Sequence, residues 1–122
     1  MCGIAGIISN NSSLVTAERV KKMTDALAHR GPDAEGHWIN STIALGNRRL
    51  AIIDLSNAAN QPMHYLERYT IIHNGEIYNY IELKEELQKK GYSFNSKTDT
   101  EVIVAAYDHW KEECVDHFDG MF

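Results

Sequence analysis

The chain opens with the stretch M1-C2-G3-I4-A5-G6-I7-I8-S9, and its reading governs everything downstream. Residues 3–9 form a β-branched, glycine-interrupted run, which reads as a first strand. Gly3 and Gly6 in such a run mark close backbone approach. The cysteine in front of it is the open question. If Met1 is removed, as expected when the second residue is small, Cys2 becomes the chain end. A free α-amino group has a reference pKa of about 7.7–8.0 and a free thiol about 8.5, so one residue then offers both a base and a nucleophile. That pairing is the arrangement of N-terminal nucleophiles. Composition alone favours the blander alternative, a small hydrophobe in a buried edge strand.

Working outward, the first strand is followed by "TAERVKKMTDALAHRGP" (16–32). Thr16 is a plausible N-cap, Glu18 lies in the first turn, and Val20, Met23 and Leu27 form an apolar stripe. Gly31 and Pro32 stop the helix. "HWINSTIALGN" (37–47) reads as a hairpin with Asn40-Ser41 as its turn. "RLAIIDL" (49–55) and "YTIIHNG" (69–75) read as further strands. "NYIELKEELQKKG" (79–91) is the best-marked helix. Asn79 and Glu82 match a capping box, Tyr80, Leu83 and Leu87 make the apolar face, and Gly91 ends it. "YSFNS" (92–96) reads as a short strand. "DTEVIVAAYDHW" (99–110) reads as a largely buried helix capped by Thr98, Asp99 or Thr100. The pair after Gly120 reads as the beginning of a strand. Strands and helices are mixed, with strands early, which predicts an α+β or layered α/β fold with helices over a mostly antiparallel sheet.

Composition limits the functions. The sequence has 122 residues, 43% apolar and 24% charged, and a formal charge of −5. One domain, or part of one, with a core is expected from that length. Twelve basic residues against seventeen acidic ones, with no basic run longer than two residues, argue mildly against nucleic-acid binding. No apolar stretch approaches the roughly 20 residues of a membrane span. The run Ile4 to Ile8 is short and has no basic residue before it, so a signal peptide is not expected and the reading is cytoplasmic. Two cysteines in a reducing compartment predict no disulfide, and the six histidines show no paired spacing, so no metal site is expected.

Other residues bear on Cys2. In "HNGEIYN" (73–79), the Asn74 amide and the Gly75 N–H could together donate to a developing oxyanion. The plain alternative is a tight turn. In "GNRRLAII" (46–53), an arginine fork could bind a carboxylate, or two arginines could simply be solvated at a sheet edge. Asp99 in "KTDTE" reads first as a helix cap. Arg30 and Asp33 in "HRGPD" (29–33) could pair structurally. "IYNY" (77–80) reads as the start of the next helix.

Taken in order, "MCGIAGI", "HRGPD", "RRLAIIDLS", "QPM", "NGEIYNY", "TDTEV" and "DGMF" closely resemble the N-terminal glutaminase domain of glutamine-hydrolysing asparagine synthetases. These belong to the class II, N-terminal-nucleophile glutamine amidotransferases. The resemblance runs along residues 1–122. It implies an αββα sandwich, here incomplete at its C-terminal end, and glutamine as substrate. It implies that Cys2 is the nucleophile and that Asn74 and Gly75 form the oxyanion hole. Arg49 would hold the α-carboxylate of glutamine, Glu76 and Asp99 its α-ammonium, and Leu50, Ile52 and Ile53 would line the pocket. Position 47 is Asn where His is expected in many relatives, a change expected to tune how Arg49 is held. The resemblance also implies a partner: an ATP-using synthetase domain, with ATP and magnesium, absent from these residues. The chain alone would then be at most a glutaminase, and a shortened sheet would leave an edge that invites a second copy. The alternatives are a non-catalytic glutamine-binding or assembly module, and an interaction domain in which Cys2 is never unmasked.

Overall fold

A computed structural model describes residues 1–122. The chain divides into two compact units, residues 1–52, 60–62 and 72–74 in the first and 53–59, 63–71 and 75–122 in the second.

The first unit is built on an antiparallel sheet of β1 (Gly3–Ile8), β2 (Ala34–Ile39) and β3 (Ile43–Arg49), in the order β1-β3-β2. The register sets Gly3 opposite Arg48 and Ala34 opposite Arg49. The expected β2–β3 hairpin is present. Its turn is fixed by Asn40, whose Oδ1 accepts from the N–H groups of Thr42 (2.9 Å) and Ile43 (2.7 Å), an Asx turn that any Asn can make without glycine. Helix α1 (Ala17–Ala26) is capped by Thr16, whose side chain accepts from Arg19 N. It gives way to a tighter 3-10 turn at Ala28–Arg30 before Gly31. The predicted stripe is corrected. Met23 is 40% exposed, whereas Val20 and Thr24 are fully buried. The sheet-facing pair is i and i+4 rather than i and i+3, and Thr24 is tolerated there because its hydroxyl meets Glu35 and His37 on β2.

The strand predicted at 49–55 is also corrected: β3 ends at Arg49. Beyond it, the N–H of Leu50 donates to Cys2 Sγ and that of Ala51 to Asp33 Oδ2. These donors are taken up by side chains, so no ladder continues.

The second unit contains the hairpin β4 (Met63–Tyr65) and β5 (Tyr69–Ile71), the short pair β6 (Glu76–Ile77) and β7 (Gly120–Met121), and helices α2 (Tyr80–Lys89) and α3 (Asp99–Trp110). All strand pairs are antiparallel, so the fold is α+β with small antiparallel sheets. Its core joins Ile77, Leu83, Leu87, Val102, Ala105 and Ala106. Gly91, at φ 97°, ends α2. Gly91 N donates to Gln88 O and Tyr92 N to Leu87 O, the paired bonds of a Schellman motif that requires the left-handed region at this position.

Two expectations in this unit fail for local reasons. The Asn79–Glu82 capping box does not form, because Asn79 makes no side-chain cap bond. Its amide instead donates to His117 O and accepts from Asp119 N, both at 2.9 Å, tying the chain before β7 to the start of α2. Residues 92–96 form no strand. The backbone N–H groups of Asn95 and Ser96 are captured by the buried carboxylate of Glu101, which also accepts from the Ser96 hydroxyl at 2.6 Å. Helix α3 is capped by Thr98. No helix is long and apolar enough to cross a membrane.

Candidate active site

The period-2 alternation of β3 determines what its two arginines do. Arg48 turns toward α1. Its guanidinium reaches Asp25 at 2.6 Å and Glu35 at 3.1 Å, and its Nε donates to Thr24 O. Arg49 takes the other side. It is only 7% exposed, and its NH1 donates to Asn60 Oδ1 at 2.9 Å. Neither arginine is a solvated edge residue, so that simple alternative is set aside.

Cys2 precedes β1, and the register that pairs Gly3 with Arg48 carries it, one step on, to the level of Arg49. The half-buried thiol is held there by a backbone contact. Leu50 N donates to Sγ at 3.4 Å, and Leu50 O lies 3.8 Å away as an acceptor for the S–H. On its other side, Cys2 O accepts from Arg30 Nε at 3.1 Å. Arg30 and Asp33 therefore do not pair with each other in the way considered for "HRGPD". Arg30 braces the backbone of Cys2, and Asp33 braces Ala51 at 2.8 Å. Met1 is 56% exposed. Both cysteines are free thiols; burial pushes the Cys114 thiol up.

Asn74 also falls in the first unit. The residue is half-buried, and its Oδ1 is fully buried without a hydrogen-bond partner. A buried polar atom left unsatisfied calls for an explanation, and a functional role is one of the recognised ones. The preceding backbone N–H, of His73, donates to Gln61 Oε1 at 2.5 Å. Leu50 is half-buried beside Cys2, and Ile52 is 69% exposed.

The remaining candidates, Ile53, Gly75, Glu76 and Asp99, belong to the second unit. Asn74-Gly75 is not a β-hairpin turn, since Gly75 leads into β6 and the partner of β6 is the distant β7. Glu76 is exposed on β6. Asp99 is only 6% exposed at the first position of α3, and its Oδ2 accepts from Ile77 N at 2.9 Å. A carboxylate in the first turn is favoured by the helix dipole. It is not the cap, because the Thr98 hydroxyl does the capping.

Sequence reasoning assigned no role to Asn60 and Gln61, although "QPM" was part of the motif series. Two amides in front of a proline were the signal available. It could not say which strands those amides reach. No group of three or more His, Cys, Asp or Glu is placed to hold a metal ion.

The chain matches the glutamine amidotransferase domain family over residues 1–122. It is 48% identical to asparagine synthetase [glutamine-hydrolyzing] 1 of Bacillus subtilis over 126 aligned residues, covering 100% of this chain and 20% of that protein. It is 40% identical to asparagine synthetase [glutamine-hydrolyzing] 3 of the same organism, again over 100% of this chain and 20% of the relative. It is 36% identical to amidase chry2 of Gibberella zeae, with 100% and 20% covered. The chain thus spans about a fifth of the length of the relatives it matches.

Proposed function

The chain belongs to the class II glutamine amidotransferase domain family, and from that premise we propose that it hydrolyses the side-chain amide of glutamine to glutamate and ammonia through a thioester on Cys2. The observation that carries this reading is the seat of the Cys2 sulfur, half-buried against the Leu50 N–H at 3.4 Å and level with the buried Arg49, one step beyond the Gly3–Arg48 pair.

The proposed chemistry uses only groups of this chain. After loss of Met1, the Cys2 α-amine accepts the thiol proton, and the sulfur attacks the carboxamide carbon of glutamine. The carbonyl π electrons move to oxygen, and the Asn74 amide and Gly75 N–H donate to that oxyanion. The α-ammonium returns its proton to the amide nitrogen, the C–N bond breaks, and ammonia leaves a glutamyl thioester. Water, deprotonated by the same amine, attacks the thioester carbon. The C–S bond breaks, the thiol is restored and glutamate departs. Arg49 is proposed to bind the α-carboxylate of the substrate, Glu76 and Asp99 its α-ammonium, and Leu50, Ile52 and Ile53 to line the pocket. A zwitterion needs opposite charges set apart, and the buried guanidinium fork of Arg49 suits the carboxylate end.

The αββα sandwich of N-terminal nucleophile hydrolases belongs to the same proposal. So does the role of the whole protein: supplying ammonia to an asparagine synthetase-like region, with ATP and magnesium acting there. The ammonia acceptor belongs to that proposed region too, aspartate or another carboxylate.

The test is glutamine hydrolysis by the purified protein with Cys2→Ala as control. Ammonia and glutamate in equal amounts from the wild type, and none from the variant, support the reading. A glutamine-mimicking electrophile that labels Cys2 without any ammonia release would instead favour a glutamine-binding module.

A further inference from the structure

Gln61 links two segments of the first unit's polar interior. It is 8% exposed, and its Oε1 accepts two hydrogen bonds, from Asn47 Nδ2 at 3.2 Å and from His73 N at 2.5 Å. Asn47 is fully buried on β3, two residues from Arg49. The two lone pairs of one side-chain carbonyl are thereby filled from two directions, a fixed strand and the backbone just before Asn74. The main chain at 61 is equally constrained. Gly36 stands opposite Asn47 in the β2–β3 register, and a Cβ at Gly36 would strike the carbonyl of Gln61. Only glycine admits this close approach. The neighbouring Asn60 takes the Arg49 guanidinium. Adjacent residues thus serve adjacent parts of the machinery, Asn60 the arginine and Gln61 the His73–Asn74 backbone.

Asn74 cannot supply its own anchor through Oδ1, which is buried without a partner. Its place is set by its backbone, and the amide immediately before it is held by Gln61. We propose that Gln61 is a positioning residue for amide hydrolysis, setting the oxyanion donor Asn74 against β3 through the His73 N–H; this rests on the amidotransferase reading above. Asn47 thereby reaches the Asn74 segment through Gln61.

A donor aimed at the oxyanion acts in the transition state far more than in the bound substrate. Misplacing it lowers kcat and leaves KM nearly unchanged, whereas general damage to the fold lowers the fraction of active molecules. The experiment measures kcat and KM for glutamine in the intact protein, with active sites counted by a glutamine-mimicking electrophile on Cys2. The variants are Gln61→Leu, which removes the acceptor, Gln61→Asn, which withdraws it by one methylene, and Gln61→Glu, which keeps it. The expected result is a kcat per active site at least tenfold lower in Gln61→Leu and Gln61→Asn, with KM within about twofold, and recovery of most of kcat in Gln61→Glu. If Gln61→Leu does not fold, Gln61→Asn alone decides. Unchanged kcat per active site, or a raised KM with kcat intact, overturns the proposal while a working wild type preserves the amidotransferase reading. A wild type that releases no ammonia from glutamine overturns both.

Discussion

Arg48 and Arg49 are consecutive residues that serve opposite faces of one strand: Arg48 is spent on Asp25 and Glu35, while Arg49 is buried and held by Asn60. The two should therefore fail in different ways. Arg48→Met is expected to lower the melting temperature by a few degrees and leave KM for glutamine unaltered. Arg49→Met is expected to raise KM by about 30-fold or more, the ~2 kcal/mol lower end for truncating one partner of a desolvated charge pair. Thermal melts and steady-state kinetics on both variants check this, and a raised KM in Arg48→Met would reverse the assignment.

Asn74 is expected to matter in the chemical step. Asn74→Ala should lower kcat by roughly 10²–10³, about 2.7–4 kcal/mol of barrier, the usual cost of one oxyanion donor. Asn74→Asp should be worse, since a carboxylate repels the oxyanion it faces. Pre-steady-state release of ammonia resolves the step affected.

A pH dependence follows from the second unit. Asp108 accepts hydrogen bonds from the hydroxyls of Tyr69 and Tyr92, both at 2.8 Å, and from Arg68 at 2.9 Å. Burial raises its carboxyl, but the Tyr92 and Tyr69 hydroxyls and the Arg68 charge outweigh burial and leave it below its ordinary 3.8. Its contribution is complete above that unfolded value and is lost as pH falls through the lower folded one. Tyr92 is pushed up to about 12, by burial first and then by its bond to Asp108. Its contribution is complete below the ordinary 10.0 and is lost as pH rises toward about 12. Asp108→Asn should cost ~1–3 kcal/mol at neutral pH and move the Tyr92 phenol titration down toward 10.0. Chemical denaturation across pH and ultraviolet titration of the tyrosines measure both.

Asn79→Ala is expected to loosen the end of the described chain while sparing α2, because the Asn79 amide binds His117 and Asp119 and caps nothing. Amide exchange should quicken at Tyr78 and Asp119, whose backbones also bond each other. Slower helix exchange than strand exchange in that variant is the expected pattern; fraying of α2 would restore the capping-box account.

The sequence revealed those features whose causes are local. Thr16 and Thr98 cap their helices, Gly91 ends one, and Asn40 turns a hairpin, each through bonds within a few residues. What it hid depends on distant partners. Asn79 fits a capping box by spacing, yet its amide is claimed by residues near 118. The β4–β5 hairpin turns through Leu66 and Glu67 at φ 53° and 54°, with no Asn-Gly to announce it. Glu101 has no local feature that sets it apart, and only the fold brings Asn95 and Ser96 onto its carboxylate. The same applies at the candidate site. Cys2, Arg49 and Asn74 stood out by residue type, whereas Asn60 and Gln61 did not, because an amide's role depends on which donors meet it.

The most direct test is the intact mass of the purified protein before and after treatment with a glutamine-mimicking electrophile. The account predicts a chain lacking Met1 that gains one adduct, mapped to Cys2 and abolished by Cys2→Ala. A chain that keeps Met1, or an adduct carried elsewhere, would contradict it.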